Sequence, residues 1–183
     1  MPTHVIETNP ADERGTLLAF LEAQRGGVRR ALLGLGDEQA RQKPSASRLS
    51  LAGLLKHVAE TELDWVETAR RVPHSIRRDE TTWHLAFQLE DGESVASVLA
   101  FWDAVARQTE EYVRSVPSLE DTFPLPDAPW FPQGDRVSVR WLLLHLIEEV
   151  GRHAGHADII RESLDGRTAF ELVDEAARAG AGV

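Results

Sequence analysis

Apolar residues recur every three to four positions along four long stretches of the chain. The first runs from about Ala11 to Leu33, with Leu17, Leu18, Leu21, Val28, Leu32 and Leu33 at helical spacing. Gly26 and Gly27 weaken its middle by roughly 1 kcal/mol each relative to alanine, which marks the place for a kink, and Gly34 and Gly36 supply the stop. Residues 35–49, with Pro44 and several serines, read as a loop. Ser50 suits the N-cap of a second helix over about Leu51 to Arg71, with Leu51, Leu54, Leu55, Val58 and Trp65 on its apolar side and Pro73 beyond its end. The stretch from His74 to Gly92 is mixed and reads as a long connection with a short element near Trp83 to Leu89. A third helix starts at Glu93 or Ser94 and stops before Pro117; its stripe is Val95, Val98, Leu99, Trp102, Val105 and Ala106. Five of the nine prolines fall between 117 and 136, which predicts a stiff irregular loop. Phe123, Trp130 and Phe131 sit on it, either as a lid or pocket wall or as anchors pinning the loop to the core. Ser138 caps a fourth helix from Val139 to about Leu164, ended by Asp165 and Gly166, and Thr168 caps a short C-terminal helix with Phe170, Leu172 and Val173. With no strand pattern and no internal repeat, the expected fold is all-α: an antiparallel four-helix bundle with one long crossover and a short extra C-terminal helix. One domain over 1–183 is expected, with frayed ends at about 1–10 and 178–183.

Composition narrows the function. Thirty acidic against 20 basic side chains give a formal charge of −10, and the basic face that a nucleic-acid binder needs is missing. The same charge disfavours an anionic membrane surface, and no apolar run approaches the roughly 20 residues of a spanning helix. The first 15 residues are polar and acidic, without the apolar core of a targeting signal. There is no cysteine, so disulfides, thiolate metal sites and cysteine nucleophiles are excluded and a reducing cytoplasm is expected. Any thiol chemistry requires a thiol brought in as cosubstrate.

The fourth helix carries an anomaly. On a wheel of about 100° per residue, His145, Glu149, His153 and His156 share an arc of about 80° with Leu142, Leu146 and Ile160, the residues that face the core. A carboxylate on that face is costly to bury without compensation, and imidazoles there need partners. Glu149 and His153, four apart, lie one above the other and reach one point. In the second helix His57 sits on a semi-apolar face with Gly53, Thr61 and Asp64; Gly53, one turn earlier, removes bulk beside the imidazole. Taken singly, His57 reads as an ordinary core histidine and Glu149 with His153 as an ordinary hydrogen-bonded pair. Taken together, two nitrogens and one carboxylate oxygen from facing helices form a donor set for a divalent ion with open positions.

At these residues the chain resembles the DinB/YfiT-like superfamily of four-helix-bundle metalloproteins. Within it, the similarity is to the mini-circle protein type related to mycothiol-dependent maleylpyruvate isomerase. Leu55, His57, Val58, Glu60, Glu62 and Trp65 carry the likeness in the second helix. In the fourth it rests on Glu148, Glu149, Arg152, His153, Gly155, His156, Asp158, Arg161 and Glu162. Many members use three histidines; here Glu149 stands where the first histidine of the fourth-helix pair would be, as in the isomerase branch. The resemblance implies His57, Glu149 and His153 as metal ligands, with His156 in place of Glu149 as the alternative set. It implies zinc, or else nickel or another first-row ion. A low-molecular-weight thiol such as mycothiol or bacillithiol would be cosubstrate, and a homodimer is in keeping with such bundles. Asp64, His145, His156 and Asp158 are candidates for the shell behind the ligands, Asp64 or Asp158 as orienters of a ligand imidazole.

The expected activity is transfer or isomerisation through a metal-activated thiolate acting on a small electrophile, with the loop around Trp130 and Phe131 closing over it. A metal-water hydrolase and a non-enzymatic metal- or ligand-binding stress-response protein are the alternatives.

Overall fold

Each long helix begins where a short polar side chain accepts a hydrogen bond from its first turn. The computed structural model describes residues 4–178; of the ends expected to fray, about 1–10 and 178–183, residues 1–3 and 179–183 lie outside the described residues. Asp12 caps α1 (Glu13–Ala31), Ser50 caps α3 (Leu51–Arg70), Ser94 caps α4 (Val95–Ser115) and Ser138 caps α5 (Val139–Asp165). A reciprocal pair, Thr168 with Glu171, opens α6 (Ala169–Arg178). Gly166, at φ 79°, supplies the left-handed residue that ends α5. The chain is all-α in class, as its periodicity predicts.

Three local features depart from the expectation. Helix α1 runs unbroken through Gly26 and Gly27. A Cβ on Gly27 would lie 3.0 Å from that of Ala154, so this glycine lets α1 press against α5 rather than bend. Within the stretch read as loop, α2 (Asp37–Ala40) forms a single turn whose Asp37 carboxylate accepts from the backbone of Val95, 2.8 Å away. The proline-rich stretch contains an antiparallel ribbon of β1 (Thr122–Pro124) and β2 (Arg136–Ser138), with Phe123 opposite Val137. Three residues per strand are too few to show a period of two. The ribbon holds because Phe123 is buried and Pro124 sits at a strand end, where it costs no ladder bond.

Side-chain pairs fix how the helices run. Glu13 meets Arg140 at the start of α1 and α5, while Arg161 near the end of α5 donates to the carbonyls of Ala31 and Leu33 at 2.8 Å. Those two helices are therefore parallel. Lys56 meets Glu93, Glu62 meets Trp102 and the Ala69 carbonyl meets Tyr112, so α3 and α4 are also parallel. His57 lies by Glu149 and Trp65 by Trp141, which sets α3 antiparallel to α5. Residues 71–94 are thus the long crossover.

Ion pairs strap that crossover to α3. Lys56 reaches Glu90 and Glu93 at 2.6 and 2.7 Å, and Arg78 bonds Glu60 at 2.7 Å and Glu90 at 3.1 Å. The strap carries a 3-10 turn, Trp83–Phe87. It lies so close that a Cβ on Gly53 would sit 2.1 Å from the Phe87 carbonyl oxygen.

Deeper in the core, Glu62 is fully buried and accepts from Arg25, from Trp102 Nε1 at 2.9 Å and from Thr109 Oγ1 at 2.5 Å. A charge so placed is tolerable only with all its partners. Glu62→Ala leaves the buried Arg25 with only the exposed Glu22 as counter-charge, and urea unfolding is expected to show a loss of about 3 kcal/mol.

Candidate metal centre

His57 on α3 and His153 on α5 turn their Nε2 atoms toward the same oxygen. Each Nε2 lies 3.2 Å from Glu149 Oε1. One ligand atom from each of the three residues falls within 4.8 Å of those of the other two. Sequence spacing accounts for half of this: Glu149 and His153 are one turn apart on α5. The antiparallel packing of α3 against α5 brings the third. The two imidazole rings meet edge to face, 4.7 Å between centroids.

Both imidazoles are held from behind. Thr61 Oγ1 lies 3.4 Å from His57 Nδ1, and His156 Nδ1 lies 3.4 Å from His153 Nδ1. Phe87 stacks on His57 at 4.2 Å, with 20° between the ring planes. The close approach at Gly53 makes this stack available: the residue makes room for the backbone of the strap, not for the imidazole itself. Bonds from His153 and His57 hold the Glu149 carboxyl well below the usual carboxylate range, against the opposing effect of its partial burial. An ionised carboxylate and two nitrogens aimed at one point, with their far sides fixed, fit a divalent ion by donor chemistry.

The candidates for the surrounding shell separate. His156 stands behind His153, outside the converging trio. His145, one turn before Glu149, stacks on Trp141 at 4.9 Å and meets Trp65 edge-on, and burial lowers its pKa. Phe131 packs edge-on against the same Trp65, whereas Trp130 is 77% exposed. The loop is thus pinned through Phe123 and Phe131 and exposed at Trp130.

Two expectations need correction. Asp64 lines the same cavity as His57, but its carboxylate pairs with His74 from the crossover, so it orients no ligand imidazole. Asp158 faces Arg30 on the opposite side of α5. Thr61, Phe87 and His74 escaped the sequence reading as functional neighbours. Thr61 was traceable, being one turn after His57; the other two arrive on the crossover, whose path no periodicity reveals.

A cavity of about 330 Å³ opens beside His57, lined also by Thr61, Asp64, Arg78, Trp83 and Phe87. That volume admits a small molecule.

Removing a direct donor costs at least the roughly 10–100-fold in affinity that outer partners cost. Zinc titration by calorimetry is therefore expected to show a larger loss for His57→Ala than for Thr61→Val. The depressed Glu149 pKa also has a sign. Its contribution to the stability of metal-free protein is present above the ordinary carboxylate range, about pH 4.3, and is lost as pH falls toward the folded value. Acid unfolding followed by circular dichroism should show the gap between wild type and Glu149→Gln narrowing below that pH.

Comparison with known proteins agrees with this picture. A crystal structure described as that of "the conserved protein of locus from Enterococcus faecalis" shares the fold with a TM-score of 0.66 at 15% identity, over 85% of this chain and 98% of that one. No curated protein matches the chain. The sequence model described as "Mycothiol-S-transferase" matches residues 16–166, a span that takes in His57, Glu149 and His153 with the helices that carry them. By that match the chain belongs to the mycothiol-S-transferase family.

Proposed function

We propose that the protein joins mycothiol, through its sulfur, to a small electrophile, with His57, Glu149 and His153 holding a divalent metal, zinc by preference. The observation that carries this reading is the convergence of two Nε2 atoms on one ionised carboxylate. Two imidazoles and a carboxylate form one of the donor sets of catalytic zinc sites that keep a position open. When bound, the dication supplies the Lewis acidity that brings a thiol to its thiolate near neutral pH.

The chain's own residues do the rest. Glu149 is the single anion of the set, so the loaded site retains a net positive charge and attracts a thiolate. Thr61 and His156 hold the far nitrogens of the imidazoles, and Phe87 fixes the plane of His57. The cavity beside His57 gives the small molecule a place next to the donors. Since the chain has no cysteine, the nucleophilic sulfur must be the cosubstrate's. In a displacement, the thiol proton passes to solvent, a carbon–sulfur bond forms, and the leaving group departs with its electron pair. In an addition, the electrophile takes up a proton instead.

The test is conjugation of mycothiol with a fluorogenic alkyl bromide in the presence of zinc. Turnover is expected to need both thiol and metal, and to fall by at least about a hundredfold in His57→Ala, on the scale of lost electrostatic stabilisation at a reacting centre. Undiminished turnover in that variant or in chelator-treated protein would overturn the reading. Hydrolysis of esters or amides without any thiol would favour a metal-water hydrolase in its place.

A further inference from the structure

On the face of α5 turned away from the metal centre, a cleft of about 220 Å³ lies between α1, α5 and α6. Gly27, Gly151 and Gly155 keep its walls low, and Leu172 of α6 forms an apolar side. Two charges line it, Arg30 from α1 and Asp158 from α5. Arg30 is only 4% exposed, yet its Nη1 is a buried side-chain nitrogen with no hydrogen-bond partner among the described residues. A guanidinium is always charged and carries five N–H donors, and an unpaired one in the interior is among the costliest groups a fold can keep.

The other buried arginines are satisfied. Arg25 bonds Glu62 and Glu22, and Arg161 bonds Asp165 and two backbone carbonyls. Arg30 and Asp158 attract each other through space without a hydrogen bond. Burial lowers the pKa of the first and raises that of the second.

A cation and an anion lining one small cleft, unbonded to each other, complement a molecule that carries the reverse pair. We propose that this cleft binds a small zwitterion of the α-amino-acid type, its carboxylate on Arg30 and its ammonium on Asp158. A phosphate would satisfy Arg30 but repel Asp158, and a simple cation would do the reverse. A zwitterion offers a counter-charge to each group and adds no net charge to a partly buried pair. The glycine walls limit the ligand to a small one, and Leu172 offers contact to a short apolar side chain. No donor of the metal centre lines the cleft, so the proposal stands apart from the transferase reading.

The test is calorimetric titration of the full chain, with and without zinc, using glycine, L-alanine and L-leucine. Lactate, which lacks the ammonium, and alaninamide, which lacks the carboxylate, are the controls. At least one amino acid is expected to bind, with each matching control weaker by about tenfold or more, as for loss of one member of a buried charge pair. Arg30→Gln should abolish binding. So should Gly155→Leu, which adds bulk to the lining of the cleft at a position where a Cβ meets no atom within 4 Å. Far-UV circular dichroism and a cooperative thermal unfolding transition confirm that both variants are folded. The proposal is overturned if no amino acid binds at millimolar concentration, if lactate or alaninamide binds as tightly as alanine, or if folded Arg30→Gln or Gly155→Leu binds undiminished.

Discussion

Two imidazoles on different helices share one carboxylate oxygen at 3.2 Å each, and this contact sets the demands on the rest of the molecule. It requires α3 and α5 to lie antiparallel at fixed register, because a shift of one residue on either helix turns a donor away by about 100°. It also requires the imidazoles to be held on their far sides, since an unrestrained ring would trade the carboxylate for water. Thr61, His156 and Phe87 meet that need.

The support extends outward in layers. Phe87 reaches His57 only because the crossover lies directly on α3, and the crossover stays there through the pairs joining Lys56 and Arg78 to Glu60, Glu90 and Glu93. These pairs are partly shielded from water, which raises their worth above that of exposed surface pairs. Beneath them, Glu62 joins α3 to α1 through Arg25 and to α4 through Trp102 and Thr109. The helix that carries His57 is thus anchored by charge on both sides of its core face.

Much of this was legible in the sequence, for identifiable reasons. The long helices repeat an apolar period over many turns, and their caps are short polar residues in the expected places. Glu149, His153 and His57 stood out because polar groups on a core-facing arc demand an explanation. The β-ribbon and α2 were too short to leave a period. The two misassigned carboxylates show the limit of a helical wheel. Asp158 is nine residues from Glu149, half a turn around the axis, so the wheel itself puts it on the other side. Asp64 does share a cavity with His57, but which neighbour claims its oxygens depends on the course of the crossover, which brings His74. A wheel gives a direction and cannot name the partner found there.

Helix α5 is pinned to α1 at both ends, by Arg140 on Glu13 and by Arg161 on the carbonyls of Ala31 and Leu33. The segment that leads into it from α4 adds further ties, since the Asp121 and Leu119 carbonyls accept from the backbone of Val139 and Arg140. The tip between the two short strands lies beyond these anchors, so its length and composition can change while Glu149 and His153 keep their station. The fold thus separates a part that can vary from a part that must hold still.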